Sequence, residues 1–109
     1  MTLNDIYQIL KATGYPVAYS HFTETTNTTI PTPPYICYLS VYSSNFKADN
    51  KVYKKSDNLQ IELYTAKKDL TAEKKLEDLL DQNDIAYETT ETWIESEQLL
   101  QKIYEVRLI

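Results

Sequence analysis

A single glycine, Gly14, restricts this chain more than any other feature of its 109 residues. Walker-type phosphate loops and dinucleotide-binding fingerprints need two or three glycines at fixed spacing, because their backbone N–H groups must approach a phosphate closely. Both motifs are therefore excluded. Turns elsewhere must use residues that tolerate a positive φ, and in the turn-rich stretch 43–50 we expect Asn45, Asp49 or Asn50 in the tight positions.

The hydrophobic pattern predicts one α+β domain over residues 1–109. Helical spacing predicts a helix over 3–13 that ends near Gly14. A second helix is predicted from an Asp69 N-cap to about Gln82. Strands are predicted at 17–22, at 35–42, in a run that begins at 51 and alternates most clearly over 59–64, at 85–93 and at 103–109.

Two further segments have less regular patterns. Residues 23–34 are rich in threonine and end in prolines, which predicts an exposed loop. Residues 96–100 are ambiguous and include the option of a short helical turn. Strands outnumber helices in this order, which indicates an antiparallel or mixed sheet of about four to five strands with two helices packed on one face.

The overall charge argues against nucleic-acid binding. Eleven basic and 16 acidic residues give a net charge of -5 and an isoelectric point near 4.8, the wrong sign for holding phosphates by counterion release. No apolar run approaches the roughly 18 residues that span a bilayer, and the N-terminus lacks the pattern of a signal peptide. We therefore expect a protein made and kept in a reducing cytoplasm, without membrane partners, as its single cysteine also suggests.

Few side chains are candidates for chemistry. His21 has the side chain of a general base, but no partner is placed beside it locally, so we interpret it as structural. Cys37 lies in an apolar run and is interpreted as a small buried hydrophobe with a raised pKa. One cysteine and one histidine cannot form the usual zinc site. We predict no catalytic residues, no metal site and no cofactor, and hence no enzyme.

Carboxylates cluster near the C-terminal end, and strand alternation is expected to place Glu91, Glu95 and Glu97 on one face. A catalytic pair would need a cleft that separates the pKa values of its two members. Glu88 belongs to the same acidic segment. A solvated acidic face is the favoured interpretation, because charged strands also protect sheet edges from aggregation.

Charge is unevenly distributed along the chain. Residues 1–46 have a net charge of -1, residues 47–68 have six lysines against three acids, and residues 69–109 have four basic against eleven acidic residues. A basic segment and an acidic half suit a head-to-tail association of identical subunits, although solvated charge explains them equally well. The ten tyrosines are likewise open to two interpretations, sheet packing or interface contacts.

Five phrases, in this order, resemble short phage and prophage proteins of Gram-positive bacteria. They are 13–22 (TGYPVAYSHF), 33–38 (PPYICY), 44–49 (SNFKAD), 59–69 (LQIELYTAKKD) and 91–97 (ETWIESE). The family resembles siphophage tail terminators, also called tail completion or tail-to-head joining proteins, whose gene usually precedes that of the major tail protein. The stretch from Thr25 to Ile30 is longer and richer in threonine than is typical of the family.

The resemblance implies a structural virion protein of the tail or neck, assembled in the host cytoplasm. It implies a ring of identical copies, commonly a hexamer, that caps the tail tube, stops its polymerisation and docks the head connector. Its partners would be itself, the major tail tube protein and a head-completion or connector protein, with DNA only as cargo through the bore. The alternatives are a head-closure or neck adaptor and, less favoured, a small acidic inhibitor or DNA mimic.

Two sets of contact residues follow as hypotheses. The basic and aromatic hairpin region, with Phe46, Lys47, Lys51 and Tyr53, is expected to reach an acidic neighbour or the tube. The acidic set, Glu91, Glu95 and Glu97, is expected to line the bore and repel DNA phosphate.

Overall fold

The structure, a computed structural model, describes residues 1–24, 29–48 and 51–108, with the backbone alone for 42–48, 51–57 and 108. Its elements are α1 (Leu3–Lys11), β1 (Val17–Tyr19), β2 (Tyr35–Ala48), β3 (Lys51–Thr65), α2 (Leu70–Gln82), β4 (Tyr87–Ile94) and β5 (Leu99–Leu108). The predicted α+β class and the predicted order of helices and strands are confirmed.

Both helices begin at a side-chain cap, and the cap of α2 at Asp69 is the one predicted above. At α1, the Thr2 hydroxyl accepts a hydrogen bond from the Asp5 N–H at 3.1 Å, and the Asp5 carboxylate accepts one from the Thr2 N–H at 2.8 Å. This reciprocal pair satisfies two donors that a helix N-terminus leaves open. At α2, the Asp69 carboxylate accepts from the Ala72 N–H at 3.0 Å. Gly14 has a φ of +86°, two residues beyond the C-cap of α1.

The five strands form one mixed sheet in the order β1-β2-β3-β5-β4. β1 runs parallel to β2, and the other neighbouring strands are antiparallel. Parallel neighbours require a crossover connection of a dozen or more residues. Residues 20–34 are this crossover, so the Thr/Pro segment connects two adjacent strands of the sheet. Of the described residues in the predicted loop, 23, 24, 29, 30 and 32 are exposed, as predicted, whereas 31, 33 and 34 are partly buried.

The helices pack on one face of the sheet, and alternation along β3 selects that face. Leu59, Ile61 and Leu63 are fully or almost fully buried there, whereas Glu62 and Tyr64 belong to the opposite face. The core cluster contains Ile6, Leu10, Ile36, Tyr38, Leu59, Ile61, Leu63, Ala72, Leu76, Leu80, Ile85, Tyr104 and Val106. Each large aliphatic side chain in it contributes about 1.5–3 kcal/mol by its removal from water.

Several tyrosines pack within the sheet. Tyr35 and Tyr38 are buried, and the rings of Tyr35 and Tyr64 stack with centroids 5.1 Å apart. Tyr19 meets Tyr38 edge to face at 5.2 Å. Sheet packing is therefore the role of these tyrosines, whereas the side chains of Tyr42 and Tyr53 lie outside the described part.

The β2–β3 hairpin is much longer than predicted. β2 continues to Ala48, and β3 is continuous from Lys51. The predicted turn over 43–50 is therefore wrong through residue 48, and Asn45 pairs with Lys55 inside the hairpin. Asp49 and Asn50 lie outside the described residues. Pairing across the hairpin determines this conformation. Residues of low strand propensity are extended here because their pairing with the opposite strand outweighs their local preference.

The outer part of this hairpin extends past the rest of the sheet. β1 pairs with residues 36–38 of β2, and β5 ends at Leu108 opposite Asp57. Within the described chain, Ser43 pairs with Asp57, residues 44–48 pair with residues 51–56, and residues 43–48 and 51–56 pair with no third strand. We call residues 43–56 the arm. The molecule is elongated, and its extents along the three principal axes are 50 × 32 × 26 Å.

Smaller boundary errors have local causes. β1 stops at Tyr19 rather than 22, because Ser20 has a φ of +69° and turns the chain out of the sheet. The ambiguous 96–100 segment forms a turn over residues 95–98, with Gln98 at a φ of +54°. β5 then begins at Leu99, four residues before the predicted strand.

Candidate interaction surface

The four arm residues predicted from the sequence are located by their backbone alone. Phe46 pairs with Lys54, and Lys47 pairs with Val52. The register shifts between these two pairs, so Tyr53 falls in a bulge, a device that increases strand twist. Lys51 pairs with Ala48 at the outer end of the described hairpin. The fold thus brings Phe46, Lys47, Lys51 and Tyr53 together in the arm.

The three predicted acidic residues do not share one strand face, and that prediction is wrong. Glu91 lies on β4 opposite Lys102 and forms an ion pair with Lys68. β4 ends at Ile94, so Glu95 and Glu97 belong to the turn and not to a strand. Alternation stops where the strand stops, and no glycine marks this turn in the sequence.

The only tryptophan of the chain lies at the end of β4. Trp93 is 45% exposed, and its indole Nε1 donates a hydrogen bond to the Glu95 carboxylate at 2.7 Å. Tryptophan is enriched among the residues that dominate binding at protein interfaces. Its exposure at a sheet edge makes this end of β4 a candidate contact.

β4 is an edge strand whose six middle side chains are all exposed. Residues 87–97 include four glutamates and no lysine or arginine. Glu88 lies directly opposite Glu105 of β5, a like-charge pair that stabilises neither strand. This outer edge is therefore both strongly acidic and open to pairing.

Behind β4 lies an ion-pair cluster that sequence reasoning missed. Glu73 of α2 is buried, and its carboxylate oxygens lie 2.8 Å from Lys68 Nζ and 2.8 Å from Lys102 Nζ. The buried Tyr104 hydroxyl donates to Glu77 at 2.8 Å. The Glu73 cluster consists of Lys68, Glu73, Glu77, Glu91, Lys102 and Tyr104.

The cluster joins α2 to β5 and β4. Burial alone would raise the pKa of Glu73, but hydrogen bonds from Lys102 and Lys68 outweigh it and hold the pKa below its usual value. In the sequence, the charged residues of α2 have the pattern of an ordinary solvent-exposed helix face. Only the packing of α2 against β5 distinguishes the buried Glu73 from its exposed neighbours.

The sheet face opposite the helices holds a second buried carboxylate. Glu62 is 8% exposed and accepts hydrogen bonds from Gln60 Nε2 at 2.6 Å and the Tyr64 hydroxyl at 3.0 Å. Gln101 Nε2 donates to the Tyr64 oxygen at 2.9 Å, and burial raises the pKa of Tyr64. The two hydrogen bonds that the Glu62 carboxylate accepts therefore come from uncharged side chains. Cys37, opposite Glu62, is buried as predicted, and burial raises its pKa to about 11.

His21 has one contact that resembles a catalytic pair. Its exposed ring places Nδ1 3.1 Å from the hydroxyl of Ser20. Nucleophile–base pairs also need a third group that orients the imidazole, and within the described part of the chain no such group contacts His21. The geometry fits a local hydrogen bond between sequence neighbours.

An open cleft of about 540 Å³ lies at the base of the arm. Its walls come from β2, β3, β4 and β5, with Val41, Asn58, Glu88, Glu105 and Arg107 among the lining residues. The cleft holds carboxylates and a guanidinium but neither the histidine nor the cysteine of the chain. Among residues whose positions the structure gives, no group of three His, Cys, Asp or Glu is placed to hold a metal ion. None of the described helices is long and apolar enough to cross a membrane.

Comparison with known proteins adds no family to this picture: no family model matches the chain, and no curated protein is significantly similar to it.

Proposed function

We propose that this chain is a structural phage protein that caps the tail tube as a ring, stops tube polymerisation and forms the interface to the head connector. The sequence phrases that resemble tail terminators suggest this role. The observation that carries the proposal is the arm, which extends beyond the sheet and pairs with no third strand of the described chain.

In an isolated subunit, an arm with nothing packed against it would be only marginally stable. A two-stranded hairpin is marginally stable in water unless a third strand, a helix or another surface packs against it. Its outer N–H and C=O groups are also a template for another chain. An arm of this length is therefore best explained as a contact element that becomes fully paired in an assembly.

The charge distribution supports contacts between unlike surfaces. The arm has four lysines and one aspartate, whereas residues 69–109 have eleven acidic and four basic side chains. A contact between two different patches of one subunit propagates, and it closes into a ring when the rotation per subunit allows. A closed ring on the tube leaves no free subunit contact, which is how a terminator would stop growth.

The proposed partners are those that the resemblance to tail terminators implies. Copies of the chain meet around the ring, one ring surface meets the major tail tube protein, and the other meets a head-completion or connector protein. DNA passes through the bore as cargo. The role needs no catalytic residue, metal or cofactor, and it places the protein in the tail or neck of the virion.

Electron microscopy of tails assembled with and without this protein tests the function. Overlong tubes in its absence, restored to uniform length when it is added, are the expected result. Tubes of normal length that fail to join heads would replace the proposal with the neck-adaptor alternative. Normal tails that join heads normally would refute both.

A charge variant links the function to the arm. Lys47→Glu/Lys51→Glu should abolish capping, whereas Lys11→Glu/Lys67→Glu makes the same charge change at exposed sites outside the arm and should cap normally. Normal capping by the arm variant would show that the arm charges play no part in the contact.

A further inference from the structure

We propose that the arm of one copy adds as strands to the outer edge of β4 in the next copy. This inference rests on the proposed function for its ring but makes a separate claim, which is the identity of the two surfaces that meet. Strand addition of this kind gives affinity through main-chain hydrogen bonds and specificity through flanking side chains.

β4 has the features of an acceptor edge. It is eight residues long and pairs on one side with β5. No described strand lies on its other side. At about 3.3 Å per residue, β4 offers an edge of about 26 Å. The opposite edge of the sheet is a poorer acceptor, because β1 has only three residues and Ser20 turns the chain away after it.

The β3 strand of the arm has the features of a donor. Its residues 51–56 lie beyond Leu108, where β5 ends, and no described strand pairs with them on that side. This open segment fits within the length of β4. Three of the four arm lysines, Lys51, Lys54 and Lys55, are on β3, whereas Lys47 is on β2. The part of β3 in the arm, which has three of the four lysines, is therefore the strand that pairs with β4 of the next copy.

Charge decides between this pairing and its competitors. Residues 87–97 have four glutamates and no basic side chain, so pairing β4 with β4 of another copy would bring like charges together. Pairing two arms would do the same with lysines. Pairing the arm with β4 brings opposite charges together, and it joins two different surfaces of the subunit. The resulting contact is head-to-tail, as a ring requires.

Mixed cysteine variants test which surfaces meet. One protein has Val52→Cys in the arm and the other has Thr90→Cys on β4, and the two are mixed and treated with a short bismaleimide. The native Cys37 competes little, because it is buried with a pKa of about 11. We expect a crosslinked heterodimer of the two variants and loss of that product when Thr71→Cys, exposed on α2, replaces Thr90→Cys.

Other crosslinking results would overturn the proposal. Homodimers of each variant without the heterodimer would mean that arm meets arm and β4 meets β4. Equal crosslinking to Thr71→Cys and Thr90→Cys would mean that contact at β4 is not specific.

A charge exchange supplies an independent test. Lys54→Glu/Lys55→Glu should raise the concentration needed for self-association by about tenfold or more, because like charges then face each other. Adding Glu88→Lys/Thr92→Lys on β4 should restore association while leaving the Lys68–Glu91 pair intact. Failure of this rescue, with both variants folded by circular dichroism, would refute the assignment of β4. Fluorescence of Trp93, half-exposed at the end of β4, should shift to shorter wavelength on association.

The two proposals fail in distinguishable ways. A specific arm-to-β4 crosslink in a protein that leaves tube length unchanged would refute the terminator function and keep the contact. Tails capped normally by subunits that never crosslink between arm and β4 would refute the contact and keep the function.

Discussion

Replacing Glu73 with glutamine removes the central anion of the Glu73 cluster with little change of volume. The carboxylate is buried and lies 2.8 Å from the Nζ atoms of both Lys68 and Lys102. Removing one partner of a buried ion pair typically costs about 3–5 kcal/mol, because the remaining charge stays desolvated.

Two features of the cluster reduce that cost. The Lys68 side chain is 48% exposed and also pairs with Glu91, so it keeps water and one partner. Lys102, at 15% exposed, keeps Glu77 at 3.4 Å. We therefore expect Glu73→Gln to lower the free energy of unfolding by about 2–3 kcal/mol, below the usual range for a fully buried pair.

Urea unfolding at neutral pH, followed by circular dichroism, measures this loss. With an m-value of about 1.5 kcal/mol/M, the midpoint should fall by about 1.3–2 M. The pKa of Glu73 is lowered in the folded state, so its contribution is fully present above the unfolded carboxyl pKa of about 4.3 and disappears as pH falls through the folded pKa. The difference between wild type and Glu73→Gln should therefore shrink on acidification.

Asp78→Asn is the matched control on the same helix. Asp78 pairs with Lys74 at 3.1 Å, but both side chains are largely exposed, and such pairs contribute about 0.3–0.5 kcal/mol. A Glu73→Gln variant as stable as Asp78→Asn would refute the reasoning from burial. A difference that grows on acidification would refute the assigned direction of the pKa shift.

Two further substitutions and one labelling experiment have definite expected outcomes. Tyr104→Phe removes the buried hydroxyl that donates to Glu77 and should lower the urea-unfolding free energy by about 1–2 kcal/mol; no loss would mean that this bond adds nothing net. Gly14→Ala should cost about 1 kcal/mol in the same assay, from its positive φ alone, because a Cβ would meet no atom within 4 Å. Cys37 should react with a soluble maleimide far more slowly in the folded protein than in urea, and equal rates would contradict its burial.

The sequence predicted correctly the helix and the strand that are determined by residues close together in the chain. The Asp69 cap and the spacing of Leu76 and Leu80 located α2 almost to the residue. Alternation over 59–64 located the central strand and its buried face. These signals succeed because a helix cap or a half-buried strand depends on residues that are close in the chain.

The arm and the Glu73 cluster depend on contacts between distant residues. Ser43, Ser44 and Asn45 have the composition of a turn, and their strand conformation comes from pairing across the hairpin. Glu73 and Lys102 are far apart in sequence, and only the docking of α2 on β5 brings them together. The sequence located the basic segment of the candidate surface but not its shape, and it misplaced Glu95 and Glu97 because the turn at 95–98 has no glycine.

The parallel pairing of β1 with β2 sets an asymmetric tolerance to changes in chain length. The connection between them must return along the whole length of the pairing, so it has a minimum length below which β1 detaches from the sheet. Lengthening it is inexpensive, since doubling a flexible loop costs only about 0.6 kcal/mol in closure entropy. Insertions can therefore accumulate in the Thr/Pro segment over evolution while deletions are removed by selection.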